Sequence, residues 1–154
     1  ALPGSMKSFS HNRKRDINLE LGVGSSEGWL DYYSFGEPAL NTFSQELALT
    51  RKNDGKSGRL KEIIKVKVLP LSSVLDQYLP KDQKIDFMSI DVEGLDYEVL
   101  RSNDWVKYRP KVVLVEVVGS DILEVDRNEI STLMRSHGYS FFAKSLNTVF
   151  FKEM

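Results

Sequence analysis

The fold of this chain is decided by the stretch Ile85-Asp86-Phe87-Met88-Ser89-Ile90-Asp91-Val92-Glu93-Gly94. Its apolar residues predict a buried strand that ends abruptly at Asp91, Glu93 and Gly94, before a helical pattern begins. In an open α/β sheet the ligand crevice lies beyond the carboxyl ends of the strands. Asp91 and Glu93 therefore occupy a position where chemistry usually takes place, and an enzyme is the leading hypothesis.

The composition is that of an ordinary globular protein with no strong preference for a charged partner. The chain has 154 residues, 41% hydrophobic and 28% charged, and a net charge of -1, which give no reason to expect nucleic acid or an anionic membrane as partner. The absence of cysteine excludes disulfides and thiolate metal sites and fits a reducing compartment. No apolar run approaches the roughly 18 residues that span a bilayer. We expect one soluble, cytoplasmic domain over residues 1–154.

The first third of the chain predicts two strands and a loop. Residues 17–23 alternate between apolar and polar side chains, which is typical of a half-buried strand. Residues 29–35 are rich in aromatics and predict a second strand, paired with the first as a hairpin or as a neighbour. Residues 50–61 are polar, contain two glycines and show no periodicity, so we expect a mobile surface loop there.

From Ile63 onward the pattern alternates between strands and helices. Strands are predicted over residues 63–68, 85–90, 112–118, 139–143 and 148–152, and helices over 71–78, 94–102 and around 130–137. The apolar run 112–118 indicates a central strand covered on both faces. Ser72 or Ser73 is the expected cap of the first of these helices, and Gly138 the expected left-handed end of the last. The fold class is α/β, a mostly parallel sheet that ends in an antiparallel hairpin.

Four segments together resemble FkbM-type methyltransferases. They are Pro38–Ser44, Ile85–Gly94, Val99–Trp105 and Arg109–Glu116, in this order along the chain. The resemblance implies a Rossmann-like class I methyltransferase fold whose seven-stranded sheet has an antiparallel last strand. It also implies S-adenosylmethionine as cofactor and methyl transfer to an oxygen of a sugar or small metabolite.

One part of the family pattern is missing. The glycine-rich first strand-turn and the acid that closes the second strand are absent, so the domain is expected to be truncated at its N-terminus. In the family's strand order, 3-2-1-4-5-7-6, the strand near residues 17–23 would then lie roughly 14 Å from the Ile85 strand, three spacings of roughly 4.8 Å. We expect either upstream residues to fill this gap, or the chain to repack or to pair with another copy through its open sheet edge. The chain alone is expected to bind cofactor weakly or not at all.

The carboxylates supply the candidate catalytic residues. Methyl transfer from a sulfonium requires positioning of the acceptor oxygen and help with its deprotonation, and a carboxylate at a strand end can do both. The apolar residues before Asp91 are expected to bury it, and we expect it near the donor methyl or the acceptor hydroxyl. Glu93 is expected as a base or acceptor ligand. Glu93 is equally explained as an acid in the first turn of the next helix. Glu116 ends an apolar run at the level of the neighbouring strand's carboxyl end, so we expect it to face the same crevice as Asp91 and to be a candidate for acceptor binding. A salt bridge to Lys or Arg is the alternative.

By resemblance, Asn41 and Thr42 flank the cofactor, although loop capping explains them equally well. Gly22 and Gly24 close the early strand, where the backbone can approach an adenine ring or simply turn. No metal site is expected from the two histidines, since His137 lies on a core-facing helical stripe and His11 in a basic loop.

Two other function classes remain open. Asp91, Glu93 and Glu116 offer oxygen ligands for magnesium, as in a divalent-metal phosphohydrolase or nuclease. The third interpretation is a non-catalytic α/β interaction module, because the methionine-binding turn of the family is absent. The expected acceptor, in the leading hypothesis, is a sugar or another small molecule.

Overall fold

The computed structural model describes residues 1–53, 59–118 and 121–154. The strands in these residues are β1 (Gly22–Val23), β2 (Gly28–Phe35), β3 (Leu60–Leu69), β4 (Phe87–Ile90), β5 (Val112–Glu116), β6 (Tyr139–Ser145) and β7 (Thr148–Glu153). The helices are α1 (Lys7–Asn12), α2 (Gln45–Asn53), α3 (Leu71–Tyr78), α4 (Asp96–Arg101), α5 (Ile122–Arg127) and α6 (Glu129–Ser136), with a 3-10 turn at Pro38–Leu40. No helix among the described residues is both long and apolar enough to cross a membrane.

The strands form two mixed sheets. The first has the order β1-β3-β2, with β1 parallel and β2 antiparallel to β3. The second has the order β4-β5-β7-β6, in which β4 and β5 are parallel and β7 is antiparallel to both of its neighbours. The α/β class is confirmed, but the prediction of a mostly parallel sheet is wrong. Two strands account for this: β2 runs antiparallel to β3, and the reversed β7 between β5 and β6 makes two further antiparallel ladders.

The early strand is much shorter than its sequence pattern indicates. Only Gly22 and Val23 pair with β3, and Ile17 is 57% exposed. Alternating hydrophobicity predicts a strand only where a partner supplies the hydrogen bonds, and residues 17–21 have no ladder. The predicted pairing of this strand with residues 29–35 is also wrong, because β3 lies between β1 and β2.

Three local predictions were wrong or incomplete. The predicted loop at 50–61 contains the end of α2 and the start of β3; its residues 54–58 lie outside the described part. Neither Ser72 nor Ser73 caps α3, whose N-cap is Pro70; the Ser102 hydroxyl instead accepts the Leu71 N–H at 2.9 Å. Helix α5 had no prediction, although Asp121 and Glu124 form a complete capping box at its start.

The core lies between one face of the second sheet and helices α4 and α6. Val113 and Val115 of β5 are completely buried, as are Val149 and Phe151 of β7, which stand opposite them. The other residues of β5 are only partly buried, so the expectation that this strand is covered on both faces is wrong. Gly138 follows α6 with φ +83°, as predicted for a left-handed helix end.

The register of the second sheet fixes the position of the acids. Ile90, the last residue of β4, is opposite Val115, the residue before Glu116 on β5. Because parallel strands bring their carboxyl ends to one edge, Asp91 and Glu116 leave the sheet side by side. On its other side β4 has no strand partner among the described residues.

Candidate functional site

A cavity of about 420 Å³ lies beyond the end of β4, between the two sheets. Its volume falls within the roughly 300–1,000 Å³ of typical small-molecule sites. Asp91, Val92 and Glu93 form one wall. The other lining residues come from the end of β1, from β2 and from the segment after it: Leu21, Gly22, Val23, Tyr32, Pro38, Ala39, Asn41 and Phe43, together with Ala1. The cavity is thus mostly apolar and carries carboxylates at one end.

The loop from β4 to α4 has a defined backbone shape. Glu93 and Gly94 both have positive φ, at 56° and 102°. Glycine adopts this left-handed region readily, whereas glutamate does so at a cost. Asp96, which is 7% exposed, accepts hydrogen bonds from the N–H groups of Val92 at 3.3 Å and Gly94 at 3.2 Å. Asp96 therefore holds the loop in the shape that presents Asp91 and Glu93.

Three carboxylates meet at this edge of the second sheet. Asp91, Glu93 and Glu116 each have an oxygen within 4.8 Å of the others. Burial raises the pKa of Glu116, and the negative charges of Asp91, Glu93 and Asp96 raise it further, while a hydrogen bond with Asn147 opposes them. Glu116 lies at the same sheet edge as Asp91, as expected, but it lines a neighbouring cavity and not the one that Asp91 lines, so the expectation of one shared crevice is wrong. The ion pair offered as its alternative is not found among the described residues.

Asp91 differs from expectation in one respect. It was predicted to be buried by the apolar residues before it, but the side chain is exposed, because it stands one residue beyond the strand on an open cavity. Glu93 was alternatively explained as an acid in the first turn of the next helix. It is not in that turn, because α4 begins at Asp96 and Glu93 lies in the loop before it. Both acids line the cavity, and their catalytic roles stay predictions.

The Arg51 guanidinium binds Glu93. Arg51 lies on α2, its side chain is 13% exposed, and one NH2 group pairs with the Glu93 carboxylate. The other donates to the Leu40 carbonyl oxygen at 2.6 Å. Among the described residues this is the only salt bridge to the three carboxylates. Among the described residues, Asp91 and Glu116 therefore have no ion pair of their own.

Asn41 and Thr42 lie on or just behind the cavity wall. Asn41 lines the cavity, and its Oδ1 accepts the Phe35 N–H at 2.8 Å, which is the capping role offered as the alternative. Thr42 is 1% exposed and is not part of the lining; its hydroxyl donates to the Glu93 carbonyl at 2.6 Å and accepts the Ser44 N–H at 2.9 Å. Direct contact between Thr42 and a cofactor is thus not supported, since its hydroxyl joins two parts of the wall.

The two candidate glycines have different surroundings. Gly22 lines the cavity, and a Cβ there would lie 2.7 Å from the Phe43 ring and 2.9 Å from a Val68 methyl group. Gly24 lies outside the lining, and its N–H donates to Leu69 at 3.1 Å. Close packing favours glycine at both positions, because a Cβ on Gly24 would also lie 2.9 Å from a Val68 methyl group, but only Gly22 lines the cavity.

Sequence reasoning missed three contributors to this site. Arg51 lay in a predicted loop, and its partner Glu93 is 42 residues away, so no local pattern points to it. Phe43 packs on Tyr32 with ring centroids 4.8 Å apart and forms the apolar wall. Asp96 carried a usable signal, because an acid two residues after the loop glycine can accept the backbone N–H groups that such a turn leaves free.

A second cavity, of about 360 Å³, lies on the other side of the Glu93–Gly94 loop. It is lined by Glu116, Asp96, Glu98 and Glu129, and the rest of its lining is Gly94, Tyr97, Val117, Val118, Asn128 and Ile130. No Lys, Arg or His belongs to this lining among the described residues. The three clustered carboxylates stand between the two cavities, Asp91 and Glu93 on one side and Glu116 on the other.

Comparison with known proteins gives one match. No curated protein and no solved structure matches the chain. A sequence model described as "Methyltransferase FkbM domain" matches residues 1–141. Because this match covers nearly all of the 154 residues, the chain belongs to the FkbM methyltransferase domain family.

Proposed function

We propose that this chain is an S-adenosylmethionine-dependent methyltransferase domain that methylates a hydroxyl oxygen of a sugar or another small metabolite. The observation that carries the proposal is the position of the carboxylates. Asp91 and Glu93 line one cavity, Glu116 lines another, and their oxygens lie within 4.8 Å of one another. A donor and an acceptor bound in the two cavities would meet at these groups.

The first cavity fits the cofactor. Tyr32, Phe43 and Val23 offer apolar surface for a nucleoside ring, and Gly22 lets the backbone come close. Asp91 and Glu93 place negative charge near one end, which suits a ligand that carries a positive sulfur. When bound, S-adenosylmethionine supplies a methyl group on a sulfonium, whose carbon is open to attack by an oxygen nucleophile.

The reaction asks the protein to position and deprotonate the acceptor. The acceptor oxygen forms the new bond to carbon, the carbon–sulfur bond breaks with its electron pair going to sulfur, and the hydroxyl proton goes to a carboxylate. Asp91 is the first candidate for that proton acceptor, because it is exposed to the cavity and has no ion pair among the described residues. General-base help of this kind is worth about 100- to 10,000-fold in rate.

The acidic second cavity indicates which acceptors fit. Its four carboxylates accept hydrogen bonds from hydroxyl or ammonium groups and repel phosphates and carboxylates. We therefore favour neutral or cationic acceptors, such as sugars and amino sugars, over anionic metabolites. Burial and the neighbouring acids raise the pKa of Glu116, which makes its carboxylate a better hydrogen-bond acceptor for such a hydroxyl.

The order of the second sheet supports the Rossmann-like part of the proposal. The order β4-β5-β7-β6, with β7 reversed, corresponds to the 4-5-7-6 half of the strand order that the resemblance implies. A partner through the exposed edge of β4, from upstream residues or from another copy, belongs to the same proposal.

The proposal is tested by titrating S-adenosylhomocysteine into ¹⁵N-labelled protein and following the amide resonances. Because the cavity is present in this chain, weak binding replaces the earlier expectation of weak or no binding: we expect saturable shifts at residues 22–23, 41–43 and 91–94, with an affinity weaker than micromolar. Release of S-adenosylhomocysteine from S-adenosylmethionine in the presence of neutral, cationic and anionic hydroxyl compounds then tests the acceptor class. Absence of shifts at millimolar ligand would contradict the proposal.

A divalent-metal phosphohydrolase remains the second candidate, because one ion could reach an oxygen of each of Asp91, Glu93 and Glu116. The Arg51 ion pair argues against it, since it already engages Glu93. Titration with Mg²⁺ and Mn²⁺, followed by an assay with a phosphate ester, separates the two functions. Metal-dependent hydrolysis without binding of S-adenosylhomocysteine would favour the second candidate.

A further inference from the structure

We propose that Arg51 is a positioning residue of the reaction site, which fixes the Glu93 carboxylate and joins the two walls of the first cavity. The inference rests on the proposed function for its catalytic meaning, while its structural part can be tested without any ligand. Helix α2, which carries Arg51, contributes no residue to the cavity lining. Arg51 therefore acts through other groups.

The contacts of Arg51 join two separate segments. Through Leu40 the guanidinium holds the 3-10 turn, whose Pro38 and Ala39 line the cavity, and through Glu93 it holds the loop after β4. Thr42 makes a second link between the same segments by donating to the Glu93 carbonyl. The two links bind both the side chain and the backbone of Glu93. Because the guanidinium is planar and presents several donors in a fixed fork, it can serve both acceptors at once.

Charge gives Arg51 a second role. Glu93, Asp91 and Glu116 repel one another at this distance, and the left-handed backbone of Glu93 adds a conformational cost. A cation that is largely shielded from water compensates one of these charges more effectively than an exposed lysine would. We infer that without Arg51 the Glu93 side chain turns toward solvent and the loop loses its fixed shape.

The test uses Arg51→Met and Arg51→Lys, each also combined with Glu93→Gln. Lys52→Met is the matched control, because it removes one positive charge from an exposed position on the same helix. The first measurement is the dissociation constant of S-adenosylhomocysteine from the resonance titration. We expect Arg51→Met to weaken binding at least about tenfold in the unmodified background. In the Glu93→Gln background we expect less than about threefold, because the effects of mutating two residues in contact do not add.

The second measurement is amide hydrogen exchange without ligand at Val92 and Gly94, whose N–H groups are bonded to Asp96. We expect at least about fivefold faster exchange in Arg51→Met, an intermediate rate in Arg51→Lys, which keeps the charge but not the fork, and no change in Lys52→Met. Thermal unfolding of each variant identifies any that is globally destabilised, and for such a variant the exchange rates are compared with those of amides in β7.

The outcomes separate the two proposals. Equal effects of Arg51→Met in both Glu93 backgrounds, or exchange rates no different from those of Lys52→Met, would overturn the role of Arg51. If the unmodified protein does not bind S-adenosylhomocysteine, the proposed function fails, and the exchange measurement still decides whether Arg51 fixes the loop.

Discussion

The two ends of strand β4 differ in how they neutralise acidic side chains. At the amino end, Asp86 pairs with Lys111 at 2.7 Å, and nearby Glu153 pairs with Arg109 at 2.7 Å. At the carboxyl end three carboxylates lie together, and among the described residues only Glu93 has a cationic partner, Arg51. A cluster of acids with few cationic partners beside a cavity is a candidate for a functional site, whereas acids that are each paired with a cation are not. The two ends of the same strand therefore differ in charge balance: the acids at the amino end are each paired with a cation, whereas the acids at the carboxyl end lie together beside two cavities.

The pKa values follow the same division. The Lys111 ammonium beside Asp86 lowers the pKa of that carboxyl group, chiefly through their hydrogen bond. Burial raises the pKa of Glu116 at the other end, and three neighbouring acids raise it further. Opposite shifts at the two ends mean that the two acids contribute to stability with opposite dependence on pH.

The largest effect, on the rate of methyl transfer, is expected from Asp91→Asn at the carboxyl end of β4. Because an amide cannot take up the proton of the substrate hydroxyl, the rate of methyl transfer should fall at least about 100-fold. The matched control is Asp86→Asn at the other end of the same strand, which should leave turnover within about twofold, since it removes only an exposed ion pair. Release of S-adenosylhomocysteine with an acceptor that the unmodified protein methylates is the measurement. Similar losses in both variants would remove the functional distinction between the ends.

A large effect on stability is expected from Arg109→Met at the amino end. Arg109 donates to Glu153, to the Trp105 carbonyl at 3.1 Å and to the His137 carbonyl at 3.2 Å. Leaving these acceptors without a donor should cost about 2 kcal/mol of unfolding free energy, measured by urea denaturation. Arg13→Met, which breaks an exposed pair with Asp16 at 3.9 Å, should cost less than about 0.5 kcal/mol. Equal costs would show that the Arg109 cluster does not stabilise the fold.

A smaller loss is expected from Gly138→Ala. Its φ of +83° is unfavourable for a side chain, so the free energy of unfolding should fall by about 1 kcal/mol. Gly28→Ala is the control, because a Cβ there meets no atom within 4 Å and its φ is not positive. Thermal unfolding that ranks the two variants in the reverse order would contradict the assigned helix end.

The smallest effect is expected from the pH dependence of Glu116→Gln. A group whose pKa is higher in the folded than in the unfolded protein stabilises the fold at pH values below its unfolded pKa. This stabilisation is lost as the pH rises through the folded-state pKa. The variant should therefore be more stable than the unmodified protein at neutral pH, by less than about 1 kcal/mol, and the gain should vanish in acid. Asp86→Asn should show the opposite trend, with a loss at neutral pH that fades in acid. Parallel profiles for the two variants would contradict the comparison.

Most strands of both sheets could be predicted from sequence, but the pairing within the first sheet could not. The strands after Ile63 have apolar runs bounded by turn residues, so their positions are local information. Helices α2 and α5 were missed because only Ala48 and Val125 are buried on them, which leaves no apolar stripe to detect. The length of β1 and the division into two sheets depend on which strand pairs with which. In the structure β3 forms the hydrogen-bonded ladders with both β1 and β2.

The candidate site was predictable where it depends on strand ends. Asp91 and Glu116 were expected at one edge because parallel strands end together, and they lie there. Arg51 and Phe43 were not foreseeable, since their contacts with Glu93 and Tyr32 depend on how the first sheet and α2 pack against the loop after β4. Tertiary contacts between segments far apart in sequence carry no local pattern.

The central claim is that the cavity at the carboxyl end of β4 binds the methyl donor. Titration of S-adenosylhomocysteine into ¹⁵N-labelled protein tests it most directly. We expect saturable shifts at Gly22, Asn41 and Asp91–Gly94. We expect none at Lys107, Arg109 and Lys111, which lie near the amino end of β4. Shifts centred on the amino end, or no shifts at millimolar ligand, would contradict it.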